Sequence, residues 1–351
     1  MKKKLLALLL ASAMVFGLAA CSRDTGEGGG SSSPAPAGSG TPAASDAGGA
    51  GTGEAKDPSQ VKIALVCTGA VNDGGWNASA YDGLMRIEEE LGVEVAYSEK
   101  IAIAEVPNVL RTYARQGFNL IFGHGAEFGE PMSTVAPEFP DVQFVAVNAS
   151  VEGDNLSGTV FKFGECGYFC GMAAAMVSQT GKIGIIPPDD APNNKADMDT
   201  YELGAKSVNP DIEVMVAYTG SWDDLTKGKE CAESLIAQGC DVLLPLGDAY
   251  AVGVFQACEA AGVKSMGWVS DQSGLSDTVI CSGIQSVADV YLITAEEFLD
   301  GTFVPGVNVY GMPNGAQGMS EFYGLTDEQA AEIKQAMQDY LDGKLEIPTL
   351  Y

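Results

Sequence analysis

The chain has 351 residues, with 19 Lys and Arg against 47 Asp and Glu, a single His and a formal net charge of −28. Nucleic acids and anionic membrane surfaces attract clusters of basic residues, so this acidity argues against both as partners of the folded part. The length is sufficient for two lobes of ordinary domain size.

The first twenty residues have the layout of an export signal. Lys2–Lys4 precede an apolar run from Leu5 to Leu18, and small residues lead directly to Cys21. The run is too short to span a bilayer. Residues 1–20 therefore resemble a bacterial lipoprotein signal peptide, whose removal leaves the cysteine lipidated at the new N-terminus; an ordinary secretory signal is the alternative. We expect a lipid anchor that holds the protein on the extracytoplasmic face of the cell membrane.

Residues 21–58 are rich in Gly, Ser, Ala and Pro. Such a composition offers too little apolar surface to offset the entropy of ordering, so this stretch is predicted to be a flexible tether. No second long apolar run follows it. The folded part is therefore expected beyond residue 58.

Short apolar runs then alternate with amphipathic stretches, and the pattern occurs twice. In the first set, strands are predicted at 61–67, 93–97, 119–122 and 142–147, and helices at 77–91 and 106–116. In the second set, strands are predicted at 182–186, 213–218, 241–244 and 264–268, and helices at 196–207, 224–238 and 249–261.

This alternation predicts an α/β protein with two doubly wound, Rossmann-like lobes joined by a hinge. The first part of lobe 1 is expected at 59–163 and lobe 2 at 164–275. Residues 276–351 are expected to return to the hinge and lobe 1 and to end in a helix. Ligands of such sheets bind at the carboxyl ends of the strands, so the loops after the strands are the places to look for a site.

Two of these loops carry a tryptophan beside acidic residues. The loop after the first strand contains Asp73, Trp76 and Asn77, with two glycines between the first two of these. Trp222 follows a strand of the second set and precedes two aspartates. Two indole rings on facing lobes can sandwich a flat ring. A third tryptophan, Trp268, fits either the packed core or the rim of the site.

The loop 123–129 contains the only histidine, His124, together with Glu127. Its glycine spacing is a weak match to a dinucleotide fingerprint. His124 is either a loop residue bonded within the protein or, with Glu127, a hydrogen-bonding partner for the polar edge of a ligand.

Several kinds of catalytic motif are missing from the sequence. It has no nucleophile elbow, P-loop or HExxH segment, and its histidine belongs to no Cys/His cluster. Seven cysteines remain beyond Cys21, an odd number that cannot all pair within the chain. We therefore predict a protein that is not an enzyme and that uses neither a cofactor nor a metal.

Together these residues resemble the basic membrane protein family of substrate-binding lipoproteins, the purine-nucleoside receptors of ABC importers, over residues 60–325. Asp73-Gly74-Gly75-Trp76-Asn77 matches the family's Asp-x-Ser-Phe-Asn segment with Trp in place of Phe. Residues 164–174 match the glycine-rich start of a helix in the second lobe, and 220–224 match the second aromatic wall. The resemblance implies a type I periplasmic-binding-protein fold, an ABC permease as partner, and a base stacked between Trp76 and Trp222.

The chain departs from the family pattern at three polar positions. Nucleoside-binding members hold ribose hydroxyls with an Asp where this chain has Val269, although Asp271 is retained. A lysine near the sugar aligns with Gln285, and an acidic residue aligns with Asn148. A buried hydroxyl left unpaired costs about 1–3 kcal/mol. These differences favour a purine base such as adenine, with a purine nucleoside as the second possibility.

The predicted ligand-binding residues are Asp73, Trp76, Asn77, His124, Glu127, Asn148, Trp222 and Asp271. Three alternatives remain open at this stage. One is a ligand-sensing receptor or adaptor lipoprotein with the same fold. Another is a different ligand, either another flat heteroaromatic or a sugar-like molecule. The last is an exported enzyme that uses the 123–129 loop.

Overall fold

The computed structural model describes residues 53–72, 76–247 and 249–351. The predictions on the signal peptide, Cys21, Asp73 and the tether before residue 53 lie outside these ranges. No helix within the ranges combines the length and the apolar composition that crossing a membrane requires.

The elements of the described residues follow the predicted alternation. The strands are β1 (Lys62–Cys67), β2 (Glu94–Ser98), β3 (Leu120–His124), β4 (Gln143–Val147), β5 (Glu152–Gly153), β6 (Leu156–Phe161), β7 (Lys182–Ile186), β8 (Glu213–Val216), β9 (Val242–Pro245), β10 (Lys264–Val269), β11 (Val279–Gln285), β12 (Val307–Tyr310) and β13 (Gln317–Met319). The α-helices are α1 (Trp76–Leu91), α2 (Val106–Arg115), α3 (Gly129–Val135), α4 (Glu165–Val177), α5 (Pro192–Val208), α6 (Leu225–Ala237), α7 (Ala251–Ala261), α8 (Val287–Asp300) and α9 (Asp327–Leu341).

These strands form two sheets with the same winding. The first has the order β12-β6-β4-β3-β1-β2, with β5 beside β6, and the second has the order β13-β11-β10-β9-β7-β8. Only the β5–β6 and β11–β13 pairs are antiparallel. In each sheet the order reverses beside the first strand, at β1 and at β7. The predicted pair of doubly wound sheets is thus confirmed, and we call the first sheet with its helices lobe 1 and the second lobe 2.

Both sheets are covered by apolar residues on their two faces, as parallel sheets require. In lobe 1 every residue of β3, β4 and β6 is buried. In lobe 2, α4 and α5 pack closely because glycines lie at their contact. A Cβ atom at Gly204 would overlap the carbonyl oxygen of Tyr168, and one at Gly171 would overlap that of Tyr201. This close contact fixes the position of α5 beside the cavity described below.

The chain passes between the lobes after β6, after β11 and after β12. The sequence prediction began the returning segment at residue 276, but β11 still belongs to the lobe 2 sheet. The fully buried Glu165 connects these passages, since it accepts hydrogen bonds from the Met312 backbone N–H at 2.6 Å and from Gln317 Nε2 at 3.2 Å. Burial raises the pKa of the Glu165 carboxyl, and a hydrogen bond from the Tyr340 hydroxyl opposes the rise.

Candidate functional site

A cavity of about 340 Å³ lies at the carboxyl ends of strands from both sheets. Lobe 1 lines it with Trp76 after β1 and Asn148 after β4, and lobe 2 lines it with Trp222 after β8. This is the edge at which doubly wound sheets bind ligands. The volume falls within the range of about 300–1,000 Å³ that is typical of small-molecule sites.

Trp76 is held in place by a buried stack. Its ring lies on the ring of His124, with the centroids 4.2 Å apart and the planes inclined by 23°. His124 is 1% exposed, its Nε2 lies 2.9 Å from the Trp76 carbonyl oxygen, and its Nδ1 lies 3.1 Å from the Tyr291 hydroxyl on α8. The structure therefore places His124 behind Trp76 and not in the lining of the cavity. Its hydrogen bonds orient an aromatic wall.

Trp222 has a different setting. It lies in the loop between β8 and α6 and is 52% exposed. The backbone around it is ordered by short hydrogen bonds, among them Thr219 Oγ1 to the Ser221 carbonyl oxygen at 2.6 Å and Ser221 Oγ to Asp223 Oδ1 at 2.8 Å. Asp224 caps α6 by accepting from the Thr226 backbone N–H at 3.0 Å. The loop thus presents the indole to the cavity without an aromatic ring stacked on it among the described residues.

Trp268 combines its two predicted settings. It is 5% exposed within the lobe 2 core, and it also contributes to the lining of the cavity. The next residue, Val269, lines the cavity with a φ of 70°. A β-branched residue rarely adopts this left-handed conformation, and such strain is found mostly at functional sites. An apolar side chain therefore stands where the family pattern has a carboxylate.

The remaining predicted residues divide between the cavity and its surroundings. Asn148 lines the cavity at the end of β4, with a φ of 59° that asparagine tolerates well. Asn77 packs against Gly69 in the first turn of α1, and Glu127 accepts a hydrogen bond from Thr68 Oγ1 at 3.0 Å. Asp271 accepts a hydrogen bond from the Tyr323 hydroxyl at 2.7 Å. The side chains of Asn77, Glu127 and Asp271 are thus outside the described lining of the cavity.

Three polar residues near the start of α5 also line the cavity, and none of them was among the predicted site residues. Asn193, Asn194 and Asp197 all line the cavity. Asn194 Nδ2 donates to Asp189 Oδ1 at 2.7 Å, and the Gly164 backbone N–H donates to Asp197 Oδ1 at 2.7 Å. Burial raises the pKa of Asp197 to about 7, although the hydrogen bond from Gly164 opposes the rise.

The signal for this group was present in the sequence. Pro192 is the first residue of α5, and proline favours the first helical position. A helix predicted to begin at residue 196 leaves both asparagines outside it, and none of the three polar residues is named as a site residue on the basis of the sequence.

The described residues contain no group of His, Cys, Asp and Glu side chains arranged to hold a metal ion. No disulfide joins the cysteines of the described residues, and most of these cysteines are buried. Burial raises the pKa of Cys240 to about 11 and that of Cys258 to about 12, so these thiols stay protonated. They behave as small apolar side chains.

The sequence matches the model of the Bmp family, described as ABC transporter substrate-binding protein PnrA-like, over residues 60–350. It is 31% identical over 280 residues to a purine-binding protein of Brucella abortus, covering 79% of this chain and 79% of the relative. It is 30% identical over 332 residues to the ABC transporter nucleoside-binding protein BmpA of Lactococcus lactis, covering 87% of this chain and 93% of the relative.

Among solved structures, the fold is similar to that of a transcriptional activator of the comK gene from Bacillus halodurans. The TM-score is 0.76 at 33% identity, and the match covers 82% of this chain and 99% of the other. Together with the two sheets, this likeness confirms the predicted type I periplasmic-binding-protein fold. The family resemblance inferred from the tryptophan loops is confirmed as well.

Proposed function

Because the chain belongs to the Bmp family of ABC transporter substrate-binding proteins, we propose that it captures a purine base, such as adenine, for an ABC importer. The observation that carries this proposal is the pair of tryptophans, Trp76 from lobe 1 and Trp222 from lobe 2, in the lining of a single cavity. The role is capture without catalysis. The protein works on the extracytoplasmic face of the membrane, anchored by lipid at Cys21.

Stacking supplies the affinity in this proposal. A base held on an aromatic platform gains about 1–3 kcal/mol from each ring. The ligand contacts both lobes, so it favours the closed arrangement through contacts that an open one lacks.

The lining of the cavity favours a base over a nucleoside. Phe161, Phe163, Val269 and Val287 form an apolar part of the lining that offers no side-chain partner to ribose hydroxyls. Leaving a buried hydroxyl unpaired costs about 1–3 kcal/mol. Gln285 and Asn148 are neutral and bond a base edge as readily as a sugar, so a purine nucleoside is the second candidate.

A panel of ligands tests the proposal. Mass spectrometry identifies whatever co-purifies with the protein, and thermal shift then compares adenine, hypoxanthine, adenosine, inosine and ribose. A ligand at a hundredfold excess over its Kd stabilises the folded state by about 2.7 kcal/mol. We expect adenine to give the largest shift. Stabilisation by ribose without stabilisation by any purine would contradict the proposal.

The lipid anchor has its own test. With labelled fatty acid, we expect the wild-type protein to carry label and to sediment with membranes. Cys21→Ser removes the acceptor thiol and should release unlabelled protein, while Cys231→Ser, at a half-buried free thiol in the folded part, serves as the matched control. A wild-type protein without label, or label retained in the Cys21→Ser variant, would contradict a lipid at Cys21.

A sensing role is the second candidate function. The similar structure from Bacillus halodurans is described as a transcriptional activator, and the same clamp can report a ligand as well as deliver it. Uptake of labelled adenine in cells with and without this protein separates the two roles. Loss of uptake supports import, whereas unchanged uptake with altered transcription supports sensing.

A further inference from the structure

The cavity lining contains a single ionisable carboxyl among the described residues, that of Asp197. The other polar side chains in that lining are neutral: Asn148, Asn193, Asn194 and Gln285. Asp197 is only 3% exposed, so its carboxyl group is shielded from bulk water. Burying a carboxyl costs free energy that hydrogen bonds or ion pairs must offset, and buried carboxyls in clefts are concentrated at functional sites.

Asp197 is held rigidly by the backbone of lobe 2. Its Oδ1 accepts the Gly164 backbone N–H at 2.7 Å, and the backbone N–H of Gly167 also bonds to the carboxyl. Both donors belong to the passage from β6 into α4. A Cβ atom at Gly167 would overlap the carbonyl oxygen of Asp197, so glycine allows the helices to approach this closely. The carboxyl group therefore has a defined position before any ligand arrives.

No cation compensates this carboxyl within the described part of the chain. Glu165, at the start of α4, lies close enough to disfavour a second negative charge. Lys162 Nζ lies 3.9 Å from Glu165 Oε1, and Lys162 forms no described ion pair with Asp197. Cys166 and Cys170 also face it from α4, and burial keeps the pKa of both thiols well above its usual range. The described donors to the ionised carboxyl of Asp197 are thus the two backbone N–H groups, with no positive charge beside them.

We propose that Asp197 is a specificity-determining residue whose ionised carboxylate accepts an N–H hydrogen bond from the edge of the bound base, so that ligand binding releases a proton. The inference rests on the proposed function and adds to it the type of ligand edge that the site recognises. An N–H donor stabilises the charged form of a carboxyl and lowers its pKa. The ligand therefore supplies the partner that lobe 2 lacks.

The proton linkage has a defined sign and size. In the free protein the pKa of Asp197 is about 7, so the carboxyl is mostly protonated at pH 6 and mostly ionised at pH 8. If only the ionised form binds, the Kd for adenine is about tenfold higher at pH 6 than at pH 8. Binding then releases about 0.9 proton per ligand at pH 6 and about 0.1 at pH 8.

Titration calorimetry with adenine measures both quantities in the wild-type protein. Runs at pH 6 and pH 8, each in two buffers of different ionisation enthalpy, give the Kd and the number of protons released. The expected result is proton release at pH 6 together with the tenfold change in Kd. Proton uptake, or a Kd that is equal within twofold at the two pH values, would overturn the proposal.

Two variants assign the effect to one carboxyl. Asp197→Asn keeps a neutral acceptor and should bind about fivefold more weakly at pH 8, with no dependence on pH between 6 and 8. The control is Asp199→Asn on the same helix, where the carboxylate is exposed and pairs with Lys195 at 2.7 Å. This control should keep the wild-type dependence of the Kd on pH. A wild-type pH profile in folded Asp197→Asn would also overturn the proposal, and if that variant does not fold, the wild-type calorimetry still decides.

Calorimetry distinguishes a failure of the purine site from a failure of the role of Asp197. If adenine binds without proton release, the purine site stands and the role of Asp197 falls. If no purine binds at either pH, the proposed function falls, and the role of Asp197 falls with it.

Discussion

The two aromatic walls of the cavity differ in how they are supported. In lobe 1, Trp76 lies on His124, which is held in turn by the Tyr291 hydroxyl. In lobe 2, Trp222 is 52% exposed on a loop. We therefore expect the first wall to be in place before a ligand arrives and the exposed second wall to lose more side-chain freedom when a ring covers it. Immobilising a side chain at a binding site costs about 0.5–1.5 kcal/mol, and this cost falls mainly on lobe 2.

The lobes also differ in the charge they bury. Lobe 1 buries no carboxyl among its described residues, and its buried polar residues include Gln143, Ser157 and Thr159. Lobe 2 buries two carboxyls, Glu165 and Asp197. Lobe 1 therefore offers a prebuilt stacking surface, and lobe 2 offers the charge that distinguishes one ligand edge from another. We therefore expect lobe 1 to contribute mainly to affinity and lobe 2 mainly to specificity.

The largest effect is expected for Trp76→Ala. It removes a preordered stacking face and exposes His124, so we expect a Kd for adenine about a hundredfold higher, near the upper end of the stacking range. Trp76→Phe, which keeps an aromatic face, should recover most of the affinity. Calorimetry measures both variants. A smaller loss for Trp76→Ala than for Trp222→Ala would show that the lobe 1 wall is not the dominant one.

Trp222→Ala is expected to raise the Kd by about tenfold, because part of its stacking energy offsets the ordering of the indole. The melting temperature of the ligand-free protein should not change, since the ring is half exposed and contacts no other ring in the described structure. Tyr218→Ala is the control, because Tyr218 is a comparably exposed aromatic residue near the same loop, outside the described lining. An equal loss of affinity in Tyr218→Ala would show that the loop backbone, and not the indole of Trp222, is responsible for the effect.

The buried carboxyls of lobe 2 predict how stability depends on pH. The pKa of Asp197 is about 4 in the unfolded chain and about 7 in the folded protein, so its contribution to stability is complete below pH 4 and is lost as the pH rises through 7. Between pH 6 and pH 8 the ligand-free protein should lose about 1.4 kcal/mol of unfolding free energy. Thermal melts of the wild type, Asp197→Asn and Asp199→Asn check this. An equally steep decline in folded Asp197→Asn would assign the effect to other groups.

Much of the fold was predictable because parallel strands, buried on both faces, leave continuous apolar runs in the sequence. The rule that ligands lie after the strands led to Trp76, Asn148 and Trp222, which the structure places in the lining of the cavity, and their contact with a ligand stays a prediction. Asp271 and Glu127 lie outside the described lining, and each carboxylate bonds a neighbouring hydroxyl.

The parts that could not be predicted depend on contacts between distant segments. Nothing local to His124 reveals that it will stack on Trp76, because the two belong to different strand–helix units of lobe 1. Asp197 has the sequence context of a solvent-facing helical residue. Its burial follows from the glycines of α4, which let the two helices approach closely. Gly164 and Gly167 belong to the segment that matches the family pattern, yet their spacing alone does not say which residue they will cover.

The smallest expected effect tests the support behind the lobe 1 wall. Tyr291→Phe removes the hydroxyl that lies 3.1 Å from His124 Nδ1. Losing this buried hydrogen bond should cost about 1 kcal/mol of stability and raise the Kd for adenine about threefold, because the ring under Trp76 is held less firmly. Tyr310→Phe is the matched control: its hydroxyl bonds Thr294 Oγ1 at 2.8 Å in the same lobe, outside the described lining. It should lose similar stability and keep its affinity. If both variants bind adenine as the wild type does, His124 supports Trp76 by packing alone and the hydrogen bond behind it adds nothing to the wall.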